Sequence, residues 1–297
     1  MNIATENILI FDRDRVRQNR ARALKNLPQH SFLFDWAETQ ISGRLEDIKR
    51  NFPRALFMGL HGKNNFIIPD DKIKTLIGTG LIPSEKKLNS PFVCADDELL
   101  PFADNSFDLV INSLGLHSTN DLPGALVQIK RALKPDGLFM AAMFGGETLF
   151  ELRQSLMAAE METRGGISPR VFPFADKPQA GNLMQRAGFA LPVIDSEILT
   201  VTYDNMFGLL KDLRGMGEGN SILARDKKFP GRNFFHRAAA HYAENFSEHD
   251  GRIRATFEVI FMIGWSPHSS QQKPLAPGSA KMRLAEALDT KEIKAGG

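Results

Sequence analysis

The stretch "CADDELLPFADNSFDLVINSLGLHSTNDLPGALVQIKRALKPDGLFMAAMFG", Cys94 to Gly145, decides the fold. Two apolar runs, "FDLVINSL" and "GLFMAAMF", flank "LPGALVQIKRALKPDG", which has the pattern of a helix. Ala125, Ile129 and Leu133 recur on one face, and Lys130, Arg131 and Lys134 gather where the negative end of a helix dipole would lie. Pro135 and Gly137 then supply stop signals. Strand, crossover helix and second strand make a βαβ unit, and such a unit requires a parallel sheet with helices packed on its faces.

The same alternation extends outward. From residue 54 to about 144 the segments "ALFMGL", "IKTLIG" and "PFVCA" read as three earlier strands. Downstream come helices around the loop "RGGISPRVFPFADKPQAG", a helix ending at Gly188, the strand-like "LPVIDSEILTVTY", the helical "NFFHRAAAHYAENF" and a late strand, "IRATFEVIFMIGW". The segment "GLLKDLRGMGEGNSILAR" carries three glycines within five positions and is expected to be a mobile surface loop.

The first fifty residues look helical and basic. Leu33, Trp36, Ala37, Ile41, Leu45 and Ile48 recur at spacings of three and four, as on one buried helix face. The arginines at 13, 15, 17, 20 and 22 are expected on a solvated face, with closure of this helical arm over a neighbouring pocket as the second reading. The expected organisation is an arm over 1–50, an α/β domain over 51–265, and a tail over 266–297 whose last residues are disordered.

A chain of 297 residues can hold one sizeable α/β domain with additions or two small domains. Its 42% hydrophobic and 24% charged composition is ordinary, and a net charge of +2 gives no electrostatic argument for a nucleic-acid partner. The single cysteine, Cys94, excludes an internal disulfide and a multi-cysteine zinc site; within "PFVCA" it is expected to be a small buried residue. No run approaches the roughly twenty apolar residues of a membrane span. The start lacks a basic-then-apolar signal, and Glu6, Asp12 and Asp14 oppose an uncleaved presequence. The expected location is the cytoplasm, or an organelle after removal of a presequence. His61, His117, His236, His241, His249 and His268 show no ligand-like spacing beyond the gap from His236 to His241, so no metal is expected. "GTG" at 78–80 and "GMGEG" at 215–219 are too short for phosphate loops.

The order acid, "LPF", "SFDLV", polar turn, helix, "LKPDG" and apolar strand resembles the centre of class I S-adenosylmethionine-dependent methyltransferases, over about 54 to 144. Wider features narrow the likeness: "LIFDRDRVRQNRARA", "GGETLFELRQSLMAAE", "GGISPRVFPFAD", "LLKDLRGMGEGN" and "GWSPHSSQQKPLAPGSAKMRLAEAL". Together they resemble the mitochondrial complex I assembly factor 5 family and its alphaproteobacterial relatives, themselves related to the malonyl-acyl carrier protein methyltransferase of biotin synthesis. The resemblance implies a Rossmann-like class I methyltransferase fold with an N-terminal helical arm and a C-terminal extension, and S-adenosylmethionine as cofactor. It also implies methyl transfer to a small molecule or protein. Two alternatives come with it: an assembly factor that recognises a respiratory complex I subunit without catalysis, and hydroxylation of an arginine of such a subunit. Fold does not decide among them.

In an open α/β sheet, ligands collect at the carboxyl ends of the strands. The resemblance puts Asp96 there as acceptor for the adenine amino group, with Asp97 able to exchange roles and Glu98 a solvated carboxylate. Asn112, Ser113 and Leu114 end the fourth strand beside the methyl donor, and Asp108 is expected to be structural. The first loop keeps Gly59 and Gly62, but Phe57 stands where the family carries an acid and His61 where it carries a middle glycine. The second strand ends in Thr79 and Gly80 instead of an acid for the ribose hydroxyls, and Glu85 is too far downstream. The expected cofactor contacts are therefore Gly59, His61, Gly62, Asp96, Asp97, Asn112 and Leu114, with no residue singled out for catalysis. His61 and His117 are expected at strand ends facing the pocket. Arg214 is a candidate substrate contact, and "GWSPHSSQQKP" a closing or partner segment anchored by Trp265.

Overall fold

The computed structural model describes residues 9–59, 71–83, 90–272, 279, 282, 284–287 and 289–290. Of the expected site residues, His61 and Gly62 lie outside them, as do Glu85 and the last residues of the tail, 291–297. The chain divides into two compact units, Met1–Pro267 and His268–Gly297. The second contains the short helix Leu284–Ala287; all that follows concerns the first.

Its centre is a sheet of β1 (Phe52–Met58), β2 (Ile73–Gly80), β3 (Phe92–Cys94), β4 (Phe107–Ser113), β5 (Leu133–Phe144), β6 (Ala190–Tyr203) and β7 (Ile253–Trp265). Seven strands lie in the order β3-β2-β1-β4-β5-β7-β6, with β7 antiparallel to both of its neighbours and the first five parallel. The central strands are continuous apolar runs because helices cover both faces. Side chains alternate across the sheet. Ala55 and Phe57 of β1 join Leu109 and Ile111 of β4 on one side. Leu56, Met58 and Val110 join the opposite core.

The helices follow from caps and stripes. On the first face α2 (Phe32–Glu46) buries Leu33, Ala37, Ile41 and Leu45, with Trp36 and Ile48 packed partly against them, as the spacing predicts. On the second face lie α3 (Leu122–Ala132), N-capped by Asp121, and α5 (Lys177–Ala187), which has an Asp176–Gln179 capping box and stops at left-handed Gly188. The remaining helices are α1 (Arg13–Ala23), α4 (Phe150–Arg164), α6 (Met206–Met216) and α7 (Arg232–Phe246).

Four expectations change. Leu133, placed on the face of α3 by its spacing, is instead the first residue of β5, because the helix stops at Ala132. Cys94 is exposed, since β3 is a three-residue edge strand with a neighbour on one side only. Half of the supposed mobile loop is α6, started by the Asn205 side chain, which accepts from the backbone of Phe207 and Gly208, and closed by Gly217 at φ 85°. The glycines there serve a helix end and a tight passage: a Cβ on Gly217 would lie 3.1 Å from Arg20 Cα. Trp265 pairs with Leu138 at the amino end of β5, the end of the sheet opposite the expected pocket. It therefore anchors no closure over that pocket.

The N-terminal arm reaches the carboxyl ends of the parallel strands. Phe11 bridges to Ile222, the Asp12 amide donates to Ser221 O at 2.8 Å, and Asn120 Oδ1 accepts from Ile10 and Phe11 at 2.8 and 2.7 Å. Backbone pairing of this kind fixes the register in which α1 lies on the sheet edge.

Candidate functional site

Arginines of α1 meet the acids that follow β3. Arg13 forms a two-pronged ion pair with Asp96 through Nη2 and Nε, lies 3.4 Å from Glu98, and donates from Nη1 to Ser118 O at 2.8 Å. Burial pushes the Asp96 carboxyl up, but the Arg13 hydrogen bonds and charge outweigh it and hold the group below its ordinary value. Glu98, expected to be merely solvated, also accepts from the Asn120 amide at 2.7 Å. One helix face further along, Arg20 lies 4.0 Å from Asp97, and the two residues are only 3% and 1% exposed. Neither Asp97 oxygen has a hydrogen-bond partner among the described residues, and burial raises its pKa. Arg13, Val16 and Arg20 stand at i, i+3 and i+7, the spacing of a buried helix face. That spacing is the signal by which a supposedly solvated arginine run declares two inward members.

The ends of β1 and β4 are pressed together. Gly59 has φ 79°, and a Cβ there would sit 2.8 Å from Ser113 O; one on Gly115 would sit 3.1 Å from Asn112 Oδ1. Both positions demand glycine for close backbone approach. Asn112 Oδ1 accepts from the Gly115 amide at 3.1 Å, while its buried Nδ2 has no partner among the described residues. Thr79 Oγ1 at the end of β2 is buried and unpartnered in the same sense. Leu114 differs from expectation: it adopts the left-handed region at φ 46°, and its side chain lies in the apolar core beside α2. Such a conformation costs on the order of 1–3 kcal/mol and is held by the surrounding sheet; here the Leu114 amide donates to Ala142 O at 2.8 Å. Asp108 is structural, accepting from the Arg54 amide and Lys134 Nζ at 2.9 Å each.

An adenosine-type cofactor needs donors and acceptors along this edge. Thr79, Asn112 and Asp97 offer buried polar atoms on β2, β4 and after β3 that have no hydrogen-bond partner among the described residues, so the residues present fit such a group. The fit differs from the usual one at the ribose, where a neutral hydroxyl replaces an acid.

A further pair lies beside the end of β4. His117 Nε2 is 3.0 Å from Glu218 Oε2, with the imidazole fully enclosed. This contact orients the imidazole against the carboxylate, and Nδ1 is buried with no hydrogen-bond partner among the described residues. Phe144 and Phe174 stand 4.8 and 5.9 Å from the imidazole centroid, and both line a small cavity with Glu218 and Phe172. A positioned histidine with a carboxylate behind it is a proton-transfer device. His117 was legible as a strand-end histidine; Glu218 was not, because "GMGEG" has the composition of a turn. Arg214 is exposed in the last turn of α6 and lines a large neighbouring cleft. No group of three or more His, Cys, Asp or Glu side chains among the described residues is arranged to hold a metal.

The methyltransferase domain family model matches residues 79–141. Over most of its length the chain is 39% identical to the mitochondrial arginine-hydroxylase NDUFAF5 of Danio rerio, covering 93% of this chain and 89% of that protein. The human protein of the same name is 41% identical over 93% of this chain and 83% of its own. The chain belongs to the NDUFAF5 family. A malonyl-[acyl-carrier protein] O-methyltransferase of Gallionella capsiferriformans is 38% identical over a shorter span, 59% of this chain and 58% of that protein. Among solved structures, the YcgJ protein of Bacillus subtilis overlays with a TM-score of 0.51 at 14% identity, covering 79% of this chain and 99% of that one. A Bacillus halodurans protein described as a methyltransferase gives 0.51 at 17% identity, covering 78% and 97%. These two show the fold alone. The NDUFAF5 relatives correct the expected cytoplasmic location, since the matching proteins are mitochondrial. No described helix is long and apolar enough to cross a membrane.

Proposed function

We propose that this chain modifies an arginine side chain of a partner protein, the reaction for which its full-length relatives are named, at a centre beside an S-adenosylmethionine-type nucleoside site. The observation that carries the reading is the Glu218 carboxylate, fixed by His117 where the large cleft meets a small cavity of about 40 Å³ lined by Phe144, Phe172, Phe174 and Arg170. A carboxylate beside aromatic faces suits a guanidinium, which stacks on rings and pairs in-plane with oxygen. Asp97 or Asp96, Thr79 and Asn112 would hold the nucleoside. Hydroxylation would require dioxygen and a two-electron reductant as external co-substrates, one oxygen atom entering the arginine and the other leaving as water. S-adenosylmethionine, when bound, supplies an electrophilic methyl group, which serves the methyl-transfer reading alone. His117, itself enclosed, holds the Glu218 carboxylate in place at the cavity.

Hydroxylation is favoured because similarity to the arginine hydroxylases spans nearly the whole chain, whereas similarity to the methyltransferases stops near two thirds of it. The resemblance further points to a respiratory complex I subunit as partner. The test is co-expression with such a subunit, followed by peptide mass measurement. Addition of one oxygen to an arginine supports the proposal, and an unmodified subunit overturns it. Calorimetric titration with S-adenosylmethionine and S-adenosylhomocysteine tests the nucleoside site: micromolar binding weakened by Asn112→Ala is expected, and absent binding removes that part.

The second reading is an assembly factor without catalysis. It is favoured by Arg13, whose guanidinium engages both oxygens of Asp96, the expected adenine acceptor. Capture of the subunit by a Glu218→Gln variant, with assembly intact and no modification in the wild type, would establish it.

A further inference from the structure

Apart from the strand-end site, the described residues enclose one large cleft of about 940 Å³ between α1, α4, α6 and the segment leading into α7. Its lining is strongly cationic. Two arginines there are already neutralised: Arg170 pairs with Glu160 and Arg225 with Asp12. Of the carboxylates, Asp226 is paired with Arg164, and Glu218 faces His117. Arg15, Arg22, Lys211, Arg214, Lys227 and Lys228 remain, and none of their side chains is ion-paired with another described residue. Arg15 Nε is buried with no hydrogen-bond partner among the described residues. Lys227 and Lys228 lie close enough to Asp12 and Asp226 to act on those carboxylates without forming ion pairs, but cations still outnumber carboxylates around the concavity, and an anion relieves the excess.

The floor is apolar, with Leu152, Leu156, Leu210 and Phe235 contributing to it. At the mouth Phe229 is 75% exposed directly after Lys227 and Lys228. A large exposed ring beside cations, leading onto leucines, is unfavourable in water and favours a ligand with an apolar body. A purely polar anion, such as inorganic phosphate, would use the cations and leave the floor uncovered. An acidic peptide would use the cations without needing the leucine floor.

We propose that this cleft binds a phosphate-headed amphiphile, with the head held by the Arg15, Arg22, Arg214, Lys227 and Lys228 cations and the chain on the leucine floor. The same chemistry belongs to a free alkyl phosphate and to an anionic lipid. The cleft adjoins the small cavity beside His117, with which it shares Leu152, Arg170, Leu213 and Glu218, but its test reads binding by the cofactor-free chain and not modification, so failure of one reading is distinguishable from failure of the other.

The probe is dodecyl phosphate below its micelle concentration, titrated calorimetrically into the cofactor-free chain. Saturable binding at one site is expected, with inorganic phosphate and dodecanol each binding at least tenfold more weakly. Lys227→Glu with Lys228→Glu should weaken dodecyl phosphate by at least about tenfold, the loss expected for charge-assisted contacts. Phe229→Ser should weaken the amphiphile and leave inorganic phosphate unchanged. All three positions are exposed, so the fold tolerates these changes. Flotation with phosphatidic-acid vesicles identifies the source: vesicle binding lost in the double variant assigns a lipid, and monomer binding alone assigns a free amphiphile. Three results overturn the proposal. They are no saturable binding of dodecyl phosphate, equal binding by the double variant, or tighter binding of an oligoglutamate peptide at the same cleft, which would assign an acidic polypeptide instead.

Discussion

Replacing Arg20 by Met tests the role of the arm more severely than any surface change. Arg20 and Asp97 are 3% and 1% exposed, and among the described residues Asp97 has no hydrogen bond to compensate it. Met keeps the aliphatic volume, so the loss comprises the charge and the Arg20 Nη2 hydrogen bond to Ser118 Oγ at 3.2 Å. Removing one partner of a buried pair costs about 3–5 kcal/mol, because the other charge stays buried alone. Asp97 escapes part of that cost by taking up a proton. Its folded pKa is already raised by burial above the ordinary 3.8, and removing Arg20 raises it further. The folded state then binds the proton more tightly than the unfolded chain does. Stability is accordingly fully present below the ordinary value and lost as pH rises toward the folded pKa, by up to about 1.4 kcal/mol per pH unit. The penalty of Arg20→Met should therefore be small near pH 4 and approach its full size near neutrality. Urea midpoints at about pH 4.5 and 7.5, at constant slope, measure it. Adding Asp97→Asn should restore most of the stability at neutral pH and abolish its pH dependence. A neutral-pH loss under about 1 kcal/mol, or one equal at both pH values, would refute the buried pair as described.

The Arg13–Asp96 pair has the opposite sign: Asp96 is held below its ordinary 3.8, so its contribution is present above that value and lost as pH falls through the folded pKa. The protection factors of the amides of Ile10 to Asp12, measured against the intrinsic exchange rate at each pH, should fall in acid, and Asp96→Asn should make them low at every pH. Gly59→Ala meets both a φ of 79° and a contact of 2.8 Å to Ser113 O, so thermal unfolding should show a loss of about 1–3 kcal/mol. His117→Gln and Glu218→Gln should each abolish arginine modification, and because Gln at either place keeps a hydrogen-bonding partner for the other, the stability lost should stay below the cost of about 3–5 kcal/mol for an orphaned buried charge. The double variant should be no worse than either alone, because the two act as one unit.

The fold was legible where local chemistry and global pattern agree. The run from Cys94 to Gly145 contains two strands, a capped helix and the turn residues between them, and each element needs only its own neighbours to be recognised. The site was legible only in part. Asp96, Asp97 and Asn112 stand at strand ends where chain order puts them, but the residues that engage them come from far along the chain. Arg13 meets Asp96 across 83 positions, and His117 meets Glu218 across 101. A basic helix face and a glycine-rich turn carry no local mark of such pairing; both look solvated until the sheet edge supplies a buried environment. Cys94 failed for the complementary reason: an apolar run implies burial only if a strand has neighbours on both sides, and β3 has one.

The arm also gives the departures in the nucleotide loops a physical setting. Asp96, Asp97 and Glu98 put three consecutive carboxylates at one edge, and α1 supplies two guanidiniums against them. A fourth acid at the end of β2, where relatives of the methyltransferase type grip the ribose, would add negative charge to an edge that has none to spare; neutral Thr79 keeps the balance. Phe57 follows the same logic. Its ring is 1% exposed in the cluster with α2, so an aspartate there would bury a carboxylate among leucines without a cation. Restoring the family's acid at residue 57 would damage the core before it improved the pocket. The altered loop and the arginine arm are thus two halves of one arrangement, in which ligand polarity is met by the arm and the strand ends together.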